Sequence, residues 1–354
     1  MTHLPSGFTI LALETSCDET AAAVVRDGRS VLSNVVASQM DMHRRYGGIV
    51  PEVASRQHIR SLTPVLEEAL AVLPTGWQNI DAIAATYGPG LSGALLTGLN
   101  AAKAIAWQRS LPFVGVNHLE AHVYANWLQV PAPVSTSDSS PQDLPAFPLV
   151  ALVVSGGHTL LALLHDHGHY ELLGQTRDDA VGEAFDKVAR IMGLDYPGGP
   201  AIQRAAEGIT SSEALPRAWL RDSYDFSFSG LKTAVLHKVR KHQAQTDAAS
   251  LDAQFVAQLA HAFQESAVDV LVTKTINAAA HFGAQEILLA GGVAANTRLR
   301  HELTRRASVP VRYPPIWLCT DNAAMVAAAA YYRFEAGVQS GWDLDVIPGL
   351  KLGG

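Results

Sequence analysis

The sequence predicts an α/β protein built from two copies of one lobe, each ordered β-β-β-α-β-α-β-α, with a cleft between the lobes. Three observations lead there. The chain has 354 residues, which at roughly 150 residues per domain gives about two domains, each large enough to bury its own core. The order of apolar runs and amphipathic stretches repeats on either side of a Pro/Ser-rich segment. Both halves open on a strand-turn-strand unit with a chemically unusual turn, ETSCDET at 14–20 and SGGHT at 155–159.

In the first half, Phe8 to Leu13 and Ala21 to Val25 read as strands around the polar turn, and Asp27-Gly28 is a hairpin signal leading into a strand from Val31 to Val36. Pro51 to Leu73 carries Ile59, Leu62, Val65, Leu66 and Leu70 at helical spacing. Ile80 to Thr86 is a short apolar strand that runs through Gly88-Pro89-Gly90 into a helix from Ser92 to Gln108; Pro112 to Val116 is a strand and His118 to Leu128 a helix. PAPVSTSDSSPQDLPAFP, at 131–148, reads as a linker or surface loop. The second half repeats the order. Strands are expected at Leu149 to Val154, Thr159 to Leu164 and Tyr170 to Gln175. Helical segments follow, with an irregular stretch between Tyr196 and Lys232, and then a long helix from Leu251 to His281 closed by Gly283. Glu286 to Ala290 (strand), Asn296 to Arg306 (helix), Pro310 to Tyr313 (strand) and Asp321 to Ala336 (helix) complete it. The expected organisation is therefore a first lobe over 1–130, a linker over 131–148, and a second lobe over 149–354. The second lobe carries a helical insertion at about 182–282, and its C-terminal segment is free to pack back on the first.

Composition narrows the function. Hydrophobic residues make up 48% and charged residues 17%, the pattern of a packed protein. A net charge of −7 excludes a broadly basic protein that coats nucleic acid by charge alone, although basic residues cluster locally at Arg44/Arg45/Arg56/Arg60, Lys238/Arg240/Lys241 and Arg298/Arg300/Arg305/Arg306. Two cysteines, Cys17 and Cys319, are too few for a disulfide scaffold and point to a reducing compartment. No signal peptide and no apolar run of about 20 residues is read, so a soluble, cytoplasmic protein without membrane association is expected.

Gly156 and Gly157 allow close backbone approach and aim N–H groups at an anion, with Ser155 and Thr159 as hydroxyl donors. Glu14 and Asp18 suit a cation, a water or a ribose hydroxyl. Taken singly, these are an ordinary Gly-rich hairpin and an acidic surface turn; their matched placement points to a nucleotide cleft. Gly291-Gly292 follows a strand and opens a helix, with Asn296 either touching a base or sugar or capping the helix. His118 and His122 stand at i and i+4, about 40° apart on one helical face, which is metal-ligand spacing. Glu120 falls about 200° away. In the HExxH zinc-protease pattern the glutamate directly follows the first histidine, and here Leu119 holds that position. Asp321, otherwise a helix cap, could complete a His-His-Asp set from lobe two, across the cleft.

Eight motifs occur in order: ALETSCDET, HLEAHVYA, VVSGGHT, DDAVGEAFDKVAR, YPGGP, FSFSGLKT, LAGGVAANTRLR and CTDNAAM. Together, over about residues 8–336, they resemble the catalytic-subunit family of tRNA N6-threonylcarbamoyladenosine transferases, the TsaD family. The resemblance implies an actin-like, sugar-kinase-like ATPase fold (RNase H-like lobes) and an acyltransferase. Such an enzyme moves the threonylcarbamoyl group of L-threonylcarbamoyl-adenylate to N6 of adenosine 37 in tRNAs reading ANN codons and releases AMP. It implies substrate contacts at Val153, Val154, Ser155, Gly156, Gly157, Asp186, Gly199 and Asn296. It also implies metal ligands at His118, His122 and Asp321 for one Fe(2+) or Zn(2+), and an adenine nucleotide (the adenylate or AMP, or ATP) in the interlobe cleft. Glu14, Asp18 and Lys232 lie in family motifs as cleft or proton-handling residues, and Gln203 stands where relatives often carry Asp. Implied partners are tRNA, a TsaB-like paralogue pairing through lobe one, a TsaE-like ATPase, and a TsaC-like enzyme that supplies the adenylate. The alternatives are a metallopeptidase of the O-sialoglycoprotein endopeptidase type, resting on HxxxH, and an ATPase or kinase of the same fold.

Overall fold

A computed structural model describes residues 4–129, 144–211, 213–246 and 251–353. Most of the Pro/Ser segment at 131–148 lies outside the described residues. The chain divides into two compact units: unit 1 holds residues up to Pro145, His167–His169 and Thr320–Gly354; unit 2 holds Ala146–Asp166 and Tyr170–Cys319.

Unit 1 opens with β1 (Thr9–Glu14), β2 (Glu19–Arg26) and β3 (Ser30–Ser38), an antiparallel meander. The hairpin between β2 and β3 turns on Asp27 (φ 53°) and Gly28 (φ 65°). Two successive positive φ angles are what a two-residue turn matched to strand twist requires, which is why Asp-Gly stands there. Next come α1 (Met40–Arg44), α2 (Pro51–Leu70), β4 (Ala82–Gly88), α3 (Ser92–Arg109), β5 (Phe113–Asn117) and α4 (His118–Tyr124). The sheet order is β3-β2-β1-β4-β5, with β1, β4 and β5 parallel. Strand β1 is buried at all six positions, as a central strand covered on both faces must be.

Unit 2 repeats this topology. Its strands are β6 (Leu149–Val154), β7 (Thr159–Asp166), β8 (His169–Gln175, of which His169 is grouped with unit 1), β9 (Glu286–Ala290) and β10 (Val311–Arg312), in the order β10-β9-β6-β7-β8. The two sheets are superposable by rank, so the repeat in element order is a repeat in sheet topology. Between β8 and β9 lie α5 (Val181–Ile191), α6 (Gly198–Ala205), α7 (Ser229–Thr246) and α8 (Ala253–His281); α9 (Thr297–Arg306) joins β9 to β10. The stretch expected to be irregular between Tyr196 and Lys232 contains α6 and the start of α7.

One assignment changes. The helix expected to end the second lobe, α10 (Ala323–Glu335), packs on β1, β2, β3, β5 and α4 of the first sheet. Its composition explains this. Residues Ala323 to Ala330 are all fully buried, and a helix apolar on every side needs neighbours on every side. Alanine side chains let it lie close against the strands. Residues beyond it continue in the same unit, where Leu344, Val346 and Leu350 join the unit 1 core.

Candidate functional site

The parallel strands β1, β4 and β5 deliver one group each at their carboxyl ends, the edge where open α/β sheets place ligands. Strand β1 ends on Glu14, β4 carries Thr86 near its end, and β5 runs through Asn117 into His118. Asn117 caps α4: its side chain accepts from the Leu119 N–H at 2.9 Å and donates to the Lys351 carbonyl at 2.7 Å. That fixes the short helix that carries both histidines, and all seven of its residues are buried.

His118, His122 and Asp321 converge. Their ligand atoms lie within 4.8 Å of one another, with Oδ1 of Asp321 3.5 Å from Nε2 of His118 and 3.1 Å from Nε2 of His122. Two ligands each about 2.1 Å from one ion at a near-tetrahedral angle stand about 3.4 Å apart, so this spacing suits a shared cation. The donor set agrees. Both ring nitrogens of His122 are buried, and neither makes a hydrogen bond of acceptable geometry. An imidazole withdrawn from water without a well-aligned hydrogen bond is costly unless something else takes its lone pair. Asp321 was expected to reach the histidines from the second lobe; it belongs instead to unit 1, brought there by α10.

The carboxylates around the triad set its charge. Glu14 is fully buried, and its oxygens accept from the Ser16 N–H (2.5 Å), the Thr86 hydroxyl (2.6 Å) and His118 Nδ1 (3.0 Å). Burial pushes its carboxyl up, but the charge and hydrogen bond of His118 hold it below the usual range. Burial works against protonating His118, yet Asp321 and Glu14 raise it to about 9. Glu19, which sequence reasoning passed over, is pushed up to about 10 by burial, by the charges of Asp321 and Asp18, and by its hydrogen bond to Asp18. An acid and a base raised by one negative field mark a pocket that draws positive charge. Only the carboxylate in the ETSCDET motif hinted at Glu19 in the sequence.

Glu120 points elsewhere. It is buried, pairs with Arg333 at 3.2 Å and accepts from the Gly353 N–H. It is therefore not poised as the base of a metallopeptidase.

In unit 2 the turns after β6 and β9, which carry Ser155, Gly156, Gly157 and Asn296 of the residues expected to hold a nucleotide, lie at the matching edge of the second sheet. Gly291 (φ 90°) sits so close to Val154 that an added Cβ would lie 2.4 Å from the Val154 carbonyl oxygen, which brings the turns after β6 and β9 together. Gly182, at the start of α5, is packed the same way on Ser155. Ser155 closes its own turn, its hydroxyl accepting from the His158 N–H at 3.1 Å, while Gly156 and Gly157 stay exposed with open space above them. Val153 and Val154 are fully buried within the sheet and present no exposed surface to a ligand. Asp186 accepts from the Gly198 N–H at 2.7 Å, and burial raises its carboxyl. Gly199 has open space where a Cβ would be. Asn296 caps α9 through Leu299 N–H (2.9 Å) and donates to Gln264 (3.0 Å). Gln203 accepts from Thr297 N–H at 2.9 Å, a task that a carboxylate could also perform. Lys232 is held by Asp179 at 2.6 Å, and Lys187 binds the same carboxylate at 2.8 Å.

Comparison with known proteins decides the family. The family model described as TsaD, tRNA N6-adenosine threonylcarbamoyltransferase, matches residues 30–328. The chain belongs to this family. A tRNA N6-adenosine threonylcarbamoyltransferase of Thermomicrobium roseum is 55% identical over 358 residues, covering 97% of this chain and 96% of the relative. The protein of that name from Bacillus subtilis is 49% identical over 350 residues, covering 97% and 95%. Among solved structures, full-length HypF in a phosphate- and nucleotide-bound form superposes with a TM-score of 0.61 at 12% identity, covering 94% of this chain and 56% of that one. HypF of T. kodakarensis gives 0.58 at 13% identity, covering 94% and 49%. These structural likenesses concern the fold alone, and the fold is the actin-like ATPase one. As a member of the TsaD family the chain is an acyltransferase that acts on tRNA.

Proposed function

We propose that this TsaD-family chain takes the threonylcarbamoyl group from L-threonylcarbamoyl-adenylate and places it on N6 of adenosine 37 in tRNAs that read ANN codons. The observation that carries the reading, beyond family membership, is the His118-His122-Asp321 cluster, with both imidazoles buried and the His122 nitrogens making no well-aligned hydrogen bond. The donor is a mixed anhydride and already activated, so the protein's task is to orient it and to stabilise charge on the carbonyl and on departing AMP. The carbamoyl C–O bond to phosphate breaks, the C–N6 bond forms, AMP leaves, and N6 gives up a proton. The exposed turn at Gly156 and Gly157 suits the phosphate, and the residues around Asp186, Gly199 and Asn296 suit the adenosine. His118, His122 and Asp321 would hold the metal, Zn(2+) or Fe(2+), which when bound supplies Lewis acidity toward the threonylcarbamoyl oxygens. Asp18 and Lys232 are assigned to proton handling. A TsaB-like paralogue, a TsaE-like ATPase and a TsaC-like source of the adenylate are the proposed helpers, and the cytoplasm is the proposed site of action. Among the described residues, no helix is long and apolar enough to cross a membrane.

The test is the metal-replete protein with these helpers, threonylcarbamoyl-adenylate and unmodified tRNA, followed by nucleoside analysis. Modified adenosine is expected, and its loss is expected on chelation or in His122→Ala. No product with active helpers would sink the reading.

A further inference from the structure

The two histidines of the cluster are not equivalent. His118 Nδ1 meets the buried Glu14 carboxylate at 3.0 Å, whereas His122 Nδ1 is buried with no hydrogen-bond partner. Glu14 stands at the end of a central, fully buried strand, and two further donors fix its oxygens: the Ser16 N–H on Oε1 and the Thr86 hydroxyl on Oε2. A carboxylate held this way cannot rotate away from the imidazole. It imposes Nδ1–H on His118, because an ionised carboxylate accepts and cannot donate. The lone pair is then on Nε2, the nitrogen that lies 3.5 Å from Asp321 Oδ1.

We propose that Glu14 is a positioning residue for the His-His-Asp centre: it fixes the tautomer and ring plane of His118 and raises the basicity of Nε2 as a metal ligand. This rests on the metal reading of the cluster given above. The bland competitor is that Glu14 only satisfies the Ser16 N–H and so shapes the turn. The two differ in what the charge does. Carboxylates behind metal-bound histidines typically change metal affinity 10- to 100-fold, whereas a turn-shaping group changes stability and leaves affinity alone.

The experiment titrates the metal-free full-length protein with Co(2+) and with Zn(2+), reading binding by calorimetry and the visible Co(2+) bands, with a metal-free melting curve for every variant. Glu14→Gln is expected to bind about 10- to 100-fold more weakly than wild type and to shift the Co(2+) bands. Thr86→Val loosens the carboxylate but keeps its charge, so its loss of affinity should be smaller than that of Glu14→Gln. His118→Ala should abolish binding. Should Glu14→Gln prove unfolded, nitrogen-15 NMR of histidines in the Zn(2+)-loaded wild type decides instead: His118 protonated on Nδ1 and metallated on Nε2 is expected. The proposal is overturned if Glu14→Gln binds with wild-type affinity and spectrum while His118→Ala does not bind, or if His118 carries the metal on Nδ1; the metal site would survive either result. Absence of any binding by wild type would remove both.

Discussion

The role of Glu120 is open to a sharp test through Glu120→Ala. In the peptidase alternative this residue is the general base. In the structure it is buried at 3% exposure and tied to Arg333 at 3.2 Å and to the Gly353 N–H. Removing one partner of a buried ion pair typically costs about 3–5 kcal/mol, because the other charge is left without compensation. The Arg333 side chain keeps 26% of its exposure, so water relieves part of that penalty and about 2–3 kcal/mol is the better figure. For a unit of this size each kcal/mol moves the melting temperature by about 2–4 °C, giving a drop of roughly 4–12 °C. Threonylcarbamoyl transfer, measured well below the lowered melting temperature, should stay within about threefold of wild type, the residue being bonded away from the triad. A double-mutant cycle with Arg333→Ala should return a coupling of about 1–3 kcal/mol. The reasoning is refuted if the melt is unchanged while transfer, or a peptidase activity, collapses.

Other perturbations follow from the same structure. Gly28→Ala puts an L residue at φ 65° and a Cβ 2.6 Å from the Tyr331 ring, so calorimetry should show a loss of at least 1–2 kcal/mol. Asp269 is opposed by burial, but hydrogen bonds from Arg217 and Arg306 dominate and hold its carboxyl below the usual range. A depressed carboxyl contributes stability that is present above its unfolded pKa of about 3.9 and is lost as pH falls through the lower folded value. Melting curves from pH 6 down to 2.5 should therefore fall less steeply in Asp269→Asn than in wild type. Deleting 351–354 removes the Lys351 carbonyl from the Asn117 cap and the Gly353 N–H from Glu120; at about 1 kcal/mol per hydrogen bond, a loss of about 2 kcal/mol is expected by denaturant titration.

Much of this was legible in the sequence where local rules govern. Asp27-Gly28 announced its hairpin because the turn needs two positive φ angles, and HLEAH put two histidines on one side of a helix because i and i+4 share a face. The same wheel placed Glu120 on the other side, where Arg333 holds it. What local rules could not supply was partnership at long range. The Ala-rich run from 323 reads as an N-capped helix in any context; that it belongs to the first sheet depends on strands some 300 residues earlier offering a flat enough surface. At Gly182 and Gly291 only the close approach of Ser155 and Val154, distant in sequence, shows why no side chain fits there. Asn296 was read as either a ligand contact or a cap, and its side chain is engaged as a cap.

The placement of α10 bears on how the chemistry is assembled. Glu14, His118, His122 and Asp321 come from three distant parts of the chain, yet all lie in unit 1. The His-His-Asp cluster, with Glu14 and Glu19 nearby, gathers ionisable groups away from water, which a folding chain does only at a cost. Burial of α10 offsets that cost. Eight consecutive side chains, Ala323 to Ala330, pass from water to full burial, and they draw in Asp321 only two residues before the helix begins. Asn322, fully buried and capping α10 through the Met325 N–H at 3.0 Å, fixes the step between Asp321 and the helix. The apolar packing of one helix thus positions Asp321 beside the two histidines. Alanine serves here for a definite reason: larger residues would bury more surface but hold the helix further from β1 and β5, and with it Asp321 from the histidines.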